Sequence, residues 1–365
     1  MFCALLMTRP ITSAGSCCTE SLLDRKKALY ERNVRGFFHC HFSPGGSSYE
    51  DMIMMRTYLA FLLMPIAIAA TAGSEMYADS TRLFDHVRFL TELQPARSHA
   101  NLGSIEKAAA YIENEFRKAG AVPESQHWQA GGKSYRNVIA TYNPEGKRTL
   151  VIGAHYDVAG EQPGADDNAS GVAGLIELAR LLFAEKPQLD HRIDLVAYCL
   201  EEPPYFGTNE MGSYIHAKSL HEANIDVIGM ISLEMIGYFS DQPGSQPFPS
   251  PELAAIYPHT ANFIIVVGIE EHAGFAGKVH ALMAKDESID TQMIVFPDGE
   301  GLAGLSDQRS YWRFGYPALM INDTAFIRNH NYHTKGDTID TLDFAKMAAV
   351  VDGAYRAVIG LENDK

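Results

Sequence analysis

The residues able to do chemistry crowd into a few short stretches. Residues 155–171 read HYDVAGEQPGADDNASG: one imidazole, His155, followed within twelve positions by Asp157, Glu161, Asp166 and Asp167. CLEEPPYFG sets Glu201 beside Glu202, SLEMIGY holds Glu234, and RNHNYHTKGD carries His330, Tyr332 and His333. Imidazoles and carboxylates are ligand types suited to Zn²⁺. Carboxylates this dense repel one another, and burying them is costly unless something positive compensates. The first stretch is therefore a metal site or a solvated loop. With shared carboxylates the whole set could hold two ions about 3.5–4 Å apart, activating water and polarising a carbonyl. Each stretch alone is a weak signal, because H-x-D triplets arise by chance and paired glutamates usually sit on solvated faces.

The elements that would position these groups tip the balance. TLVIGA precedes His155, RIDLVAYC precedes Glu201 and VIGMI precedes Glu234. Apolar or β-branched runs at 137–142, 149–154, 192–199, 227–233, 263–268, 291–296 and 316–321 predict strands. Helical periodicity fills the gaps. Ile105, Ala109, Ile112 and Phe116 share a face, with Ser104 as start and Gly120 as stop. Val172, Leu175, Leu178 and Leu182 repeat the pattern behind Ser170 as N-cap, and a last helix fits 342–361. Strands alternating with helices predict one α/β domain, its mostly parallel or mixed central sheet flanked by helices on both faces. Ligands of such sheets bind beyond the carboxyl ends of the strands. Glu201, Glu202 and Glu234 directly abut buried strands, where a bare carboxylate is expensive, and this favours the metal. Asp167 falls just ahead of a helix, whose positive end favours its ionised form.

Composition sets outer limits. The 365 residues are 46% hydrophobic and 21% charged, as in a soluble globular protein. A net charge of −15 argues against a nucleic-acid partner. Residues 52–74 hold one arginine, a short apolar run and small residues, the pattern of a signal peptide. The 51 residues before them are expected to be an over-extended reading frame with no fold of their own. Cleavage would leave 75–365 as a periplasmic or secreted domain; without cleavage the same segment would be a membrane anchor. Four of the five cysteines lie within the first 51 residues. Only Cys199 remains for the domain, so no internal disulfide is expected and its apolar setting suggests a buried small hydrophobe.

The landmarks, in order, are H-x-D at His155 and Asp157, GADDNASG at 164–171, EE at 201–202, LEMIG at 233–237 and Y-H-T-x-x-D at 332–337. Together they resemble the M28 family of zinc metallopeptidases, over roughly residues 80–360. The resemblance implies the zinc-dependent exopeptidase fold and two Zn²⁺, other divalent metals being possible. It implies Asp167 as the carboxylate bridging both ions, His155 and Glu234 as further ligands of one, and Glu202 and His333 as further ligands of the other. Asp157 would accept the second N–H of His155 and fix its tautomer. Glu201 would be general base and acid, taking a proton from a metal-bridging water and passing it to the leaving amine. Tyr332 would hydrogen-bond the developing oxyanion. A cis peptide between Asp167 and Asn168 is also implied. The expected reaction is hydrolysis of the bond after the N-terminal residue of a peptide substrate.

Two departures stand out. Position 234 is Glu where well-known aminopeptidases of this family have Asp, and Gln308 in SDQRSYW replaces a His of many relatives. GEGLAG at 299–304 matches G-x-G-x-x-G but lacks its strand–helix context, and reads as a loop beside the cleft rather than a nucleotide site. His330 reads as a surface residue or one that supports the ligands from behind. Two other functions remain: a glutaminyl-cyclase-like acyltransferase with one zinc, and a non-catalytic binding ectodomain, which retention of every ligand position disfavours. Oligomeric state, side-chain preference and aminopeptidase against dipeptidase or carboxypeptidase action are not legible.

Overall fold

The computed structural model describes residues 77–361 apart from 286. The expected leader segments, 1–51 and 52–74, lie outside the described residues. No described helix is long and apolar enough to cross a membrane.

The chain opens with α1 (Ser80–Thr91), capped by the Asp79 carboxylate on the Thr81 and Arg82 amides, and α2 (Leu102–Ala119). An antiparallel pair follows, β1 (Glu124–Ala130) and β2 (Lys133–Tyr142). Alternation then takes over: β3 (Thr149–His155), α3 (Gly171–Glu185), β4 (Arg192–Tyr198), α4 (Gly212–Glu222), β5 (Val227–Glu234), the single turn α5 (Pro251–Ala254), β6 (Phe263–Ile269), α6 (Ala273–Met283), β7 (Asp290–Phe296), the short α7 (Gln308–Trp312), β8 (Ala318–Asn322) and α8 (Phe344–Gly360). The eight strands form one mixed sheet in the order β1-β2-β4-β3-β5-β8-β6-β7. This is the α/β architecture the sequence predicts, and all seven expected strands are present. The eighth, β1, has no apolar run to announce it; ESQHWQA is an edge strand with one fully buried residue.

Side-chain alternation puts helices on both faces. Leu150, Ile152 and Ala154 point into the main core with α1, α2, α3, α6 and α8, while Val151 points the other way, among Val196, Tyr198, Ala217, Leu220 and Tyr311 beside α4 and α7. Two helix starts differ from expectation. The first long helix begins at Leu102, and Ser104 inside it donates instead to the Pro95 carbonyl. Ser170 has helical dihedrals and makes no cap bond; its hydroxyl donates to the Asp166 carbonyl and accepts from the Ile236 amide. Gly120 does end α2, in the left-handed region at φ 110°.

Four parallel strands, β4, β3, β5 and β8, deliver their carboxyl ends to one edge. Gly153 pairs with Ser232, which brings His155 and Glu234, each two residues on, to the same height. The chain goes from β3 outward to β4 and returns across it to β5, so β3 is the point where strand order reverses and a ligand crevice is expected. Under that crevice, the Tyr198 hydroxyl lies 2.7 Å from that of Tyr311, which lies 2.6 Å from His216 Nδ1, tying β4, α7 and α4 together. Gly153 makes room for this: a Cβ there would stand 2.1 Å from the Tyr198 ring.

Burial holds the His216 imidazole down to about 4, against 6.5 when exposed. The unfolded chain therefore binds this proton first, and stability present above pH 6.5 is lost as pH falls towards 4. Between pH 7 and 4.5 the loss from this group should be about 2–3 kcal/mol. Urea unfolding at the two pH values should show a smaller acid loss in His216→Gln than in the unaltered protein; equal losses would remove His216 from the account.

Candidate metal centre

His155, Asp157, Asp167, Glu201, Glu202, Glu234, Tyr332 and His333 come together at that edge. His155 ends β3 and Glu234 ends β5. Glu201 and Glu202 follow β4 by three and four residues. Asp167 lies in the tight turn Ala165–Ser170 that leads into α3, and Tyr332 and His333 come from the loop after β8. Asp167 is joined to Asn168 by a cis peptide, as expected.

The geometry centres on Asp167. Its Oδ1 lies 3.3 Å from His155 Nε2, and its Oδ2 lies 3.0 Å from His333 Nε2. His155 Nε2 is also 3.2 Å from Glu234 Oε2, and His333 Nε2 is 3.2 Å from Glu202 Oε2. Two donor sets result, each with one imidazole and two carboxylate oxygens, and each taking a different oxygen of Asp167. Donors bound tetrahedrally to zinc at ~2.0–2.1 Å stand roughly 3.4 Å apart, the spacing seen here. Atoms of His155, Asp167 and Glu202 all lie within 4.8 Å of one another. His333 Nε2 is buried yet makes no aligned hydrogen bond with either carboxylate it faces. By chemistry and spacing, the residues fit a divalent metal.

Electrostatics says the same. Asp157, Asp166, Asp167, Glu201, Glu202, Glu234, Asp307 and Asp337 are all buried here. Burial pushes Glu201 well above the carboxylate range, with Glu202, Glu234 and Asp307 adding to the effect against the pull of His155. Burial and Asp167 raise Glu202 to about 7. Burial opposes the charge of Asp167 too, but its contacts with His155 and His333 outweigh that and hold it below the usual range. His333 is lifted to about 10, burial being overcome by Asp167 and Glu202. The phenol of Tyr332, stacked on the His333 ring at 3.8 Å, is raised by burial and by the carboxylates, so it stays protonated.

The supports are mostly backbone hydrogen bonds. Asp157 accepts from the amides of Glu201 and Glu202 at 3.1 Å each, and so aims both glutamates. Its distance to His155 Nδ1 is 3.6 Å, beyond a hydrogen bond. Asp337 accepts from the Asp166 and Asp167 amides at 2.9 and 3.1 Å. Ser306 Oγ donates to Glu234 Oε2 at 2.6 Å, with Asn168 Nδ2 at 3.3 Å, so the longer side chain at 234 is fully held. Leu200, Met235 and His333 have φ of 65°, 49° and 55°, a left-handed backbone that non-glycine residues adopt at a cost. Each is at or next to a glutamate or histidine of the site, where the fold over-determines it.

Other candidates fall outside. Glu161 bonds Asn101 on the surface, His330 is exposed, and Gln308 donates to the Ala303 carbonyl. Asn168 and Asn322, which open NAS and NDT, both matches to the N-x-S/T glycosylation pattern, are buried. Cys199 is free and buried.

Arg97 gave no sequence signal. It is 1% exposed, and its guanidinium donates to the carbonyls of Leu90, Tyr156, Pro163 and Gly164, the last at 2.6 Å. Burial lowers it to about 10, so it remains charged, and it grips the loop between His155 and Asp167 from both ends. Gly164, at φ 62°, lets the loop close: a Cβ there would lie 2.4 Å from the Asp167 carbonyl.

The model of peptidase family M28 matches residues 137–358. The chain belongs to peptidase family M28. Escherichia coli YfbL, described as uncharacterised, is 41% identical over 83% of this chain and 97% of its own. Leucine aminopeptidase 1 of Colletotrichum graminicola is 27% identical over 68% of this chain, which spans only 57% of that protein. Among solved structures, the Legionella pneumophila LapA aminopeptidase superposes with TM-score 0.64 at 18% identity, covering 89% of this chain and 79% of its own. Bacteroides thetaiotaomicron glutaminyl cyclase gives 0.59 at 20% identity, covering 80% and 99%. Both share the fold of this M28 chain.

Arg97→Met should lower unfolding free energy by at least about 2 kcal/mol, because several buried carbonyls lose a charged donor at once. Arg97→Lys should recover only part of it, lacking the fork. Denaturant midpoints read both; a midpoint unchanged in Arg97→Met would contradict the clamp.

Proposed function

We propose that this M28 protein is a zinc-dependent aminopeptidase that removes a large apolar residue from the N-terminus of peptides. The observation that carries the reading is the pair of donor sets sharing Asp167 beside a glutamate, Glu201, that belongs to neither. His155, Asp167 and Glu234 would hold one zinc, and Asp167, Glu202 and His333 the other. Bound zinc would supply Lewis acidity and a nucleophilic water at neutral pH.

The residues of the chain account for the rest. Glu201 Oε2 stands 3.9 Å from His155 Nε2, at the edge of the donor sets. Burial raises the proton affinity of its carboxylate, which makes it a strong base for the proton of the attacking water. As the new C–O bond forms and the C–N bond breaks, the same oxygen returns that proton to the departing amine. The protonated Tyr332 hydroxyl would donate to the oxygen that gains charge. Asp157 keeps Glu201 and Glu202 in register by holding their amides.

The substrate preference comes from the cavity beside the centre. Glu234 and Tyr332 border it, and Phe248, Ile265, Ile294, Phe296 and Phe326 wall it, enclosing about 840 Å³ with its open mouth. The two amides on its wall are committed. Gln246 donates to Pro247 and Thr324 and accepts from Arg328, while Asn322 donates to the Glu234 carbonyl and accepts from the Thr324 amide. A glutamine side chain entering there would find both wall amides already paired, which disfavours its carboxamide against an apolar side chain. Hydrolysis at an apolar N-terminal residue is therefore favoured over cyclisation of N-terminal glutamine.

Paired peptides with free and acetylated N-termini, incubated with zinc and then with chelator, test this by mass spectrometry. Loss of one apolar N-terminal residue from the free peptides alone, abolished by chelator, is expected. Ammonia loss from glutamine peptides or trimming at the C-terminus would overturn it. Glu201→Gln should keep its metal and lose about 10²–10⁴-fold in kcat; full turnover would remove Glu201 from its role. Asp167→Ala should lose metal and activity together, read by elemental analysis; undiminished metal content would contradict the shared carboxylate.

A further inference from the structure

The loop that lends Leu302 and Leu305 to the apolar cavity lends Gly299 and Glu300 to a second cleft. It measures about 800 Å³ with its open mouth, and Gly207, Thr208, Glu300, Arg309 and Arg313 line it. Two guanidinium groups are parked there on aromatic rings: Arg309 lies 4.8 Å from the Phe206 centroid and Arg313 lies 4.7 Å from that of Tyr214. Among the described residues neither has a carboxylate within ion-pair distance or a side-chain hydrogen bond. Glu300, the acidic residue on the wall, pairs with neither. In a chain of net charge −15, two guanidiniums lining one cleft without a carboxylate partner among the described residues leave positive charge there for a ligand. A guanidinium seated over a ring keeps its N–H groups for other partners, and a guanidinium can receive a carboxylate in two parallel hydrogen bonds.

The cleft is tied to the catalytic edge by two short connections. The Tyr205 amide bonds the Glu202 carbonyl at 3.0 Å, so one tight turn separates Glu202 from Phe206. Ser306 touches Glu234, and the Arg309 amide bonds the Ser306 carbonyl at 3.2 Å, so Arg309 stands one helical turn, about 5 Å, beyond Ser306. An extended peptide advances about 3.4 Å per residue. The terminal carboxylate of a tri- or tetrapeptide thus extends about 7–10 Å past the bond to be cut, a reach comparable to these connections.

We propose that Arg309 and Arg313 form a carboxylate subsite that receives the C-terminus of a short peptide whose N-terminal residue sits at the metal centre. The inference rests on the aminopeptidase reading and narrows it: the substrates are peptides of a few residues, not long chains.

Leu-Gly-Gly, its C-terminal amide, and Leu-Gly-Asp-amide separate the cases. Calorimetric binding to the zinc-loaded Glu201→Gln protein and turnover by the unaltered protein are measured independently, so failure of hydrolysis and failure of the subsite are distinguishable. Leu-Gly-Gly should bind at least about tenfold more tightly than its amide, and its kcat/KM advantage should lie in KM. R309Q and R313Q together should bring acid and amide to the same Kd. Leu-Gly-Asp-amide binding as tightly as Leu-Gly-Gly would place a side-chain carboxylate in the subsite and overturn the terminal assignment. Equal Kd for acid and amide, or a difference that survives both substitutions, would overturn the proposal whether or not the peptides are cleaved.

Discussion

The structure depends on one electrostatic constraint: eight carboxyl groups are buried around two imidazoles and one guanidinium. In water-free surroundings such an excess of acid is tolerated only if some groups keep their protons or a cation joins them. The raised affinities of Glu201, Glu202, Asp307 and Asp337 for protons express the imbalance in the protein alone. The spacing of the unaligned donors around Asp167 expresses how a divalent cation would resolve it. Much else in the fold reads as scaffolding for that concentration of charge.

The scaffold works by topology. Parallel β4, β3, β5 and β8 end at one edge, and the reversal at β3 opens the crevice there. The charged residues sit on strand ends or on loops pinned by backbone hydrogen bonds, so few depend on long free side chains for their aim. Asp157 and Asp337 each accept two successive amides that lead into a ligand position, and Arg97 holds carbonyls at both ends of the loop between His155 and Asp167. The residues with positive φ at 200, 235 and 333 mark where the backbone yields to that geometry.

How much of this was legible varied with the physics involved. Buried strands such as TLVIGA and RIDLVAY announce themselves because both faces are covered, and the carboxylates that interrupt them announce the site. Strand β1 was hidden because an edge strand carries little apolar signal. Ser104 does not start its helix and Ser170 does not cap its own, because hydroxyls near a helix start also serve tertiary bonds, here with Pro95 and Ile236. Arg97 was invisible, since nothing in SHANL-type surroundings distinguishes a buried arginine from a surface one. The apolar cavity was equally hidden: its walls come from residues 234–267, 294–305 and 320–332, which no local pattern unites. Sequence spacing found the ligand types; packing alone showed what surrounds them.

The central claim is that Asp167 joins two metal sites. Anomalous diffraction at the zinc edge from crystals of the zinc-loaded protein tests it most directly. The account predicts two peaks, one among His155, Asp167 and Glu234 and the other among Asp167, Glu202 and His333. A single peak, or peaks that leave one oxygen of Asp167 without a metal, would contradict it.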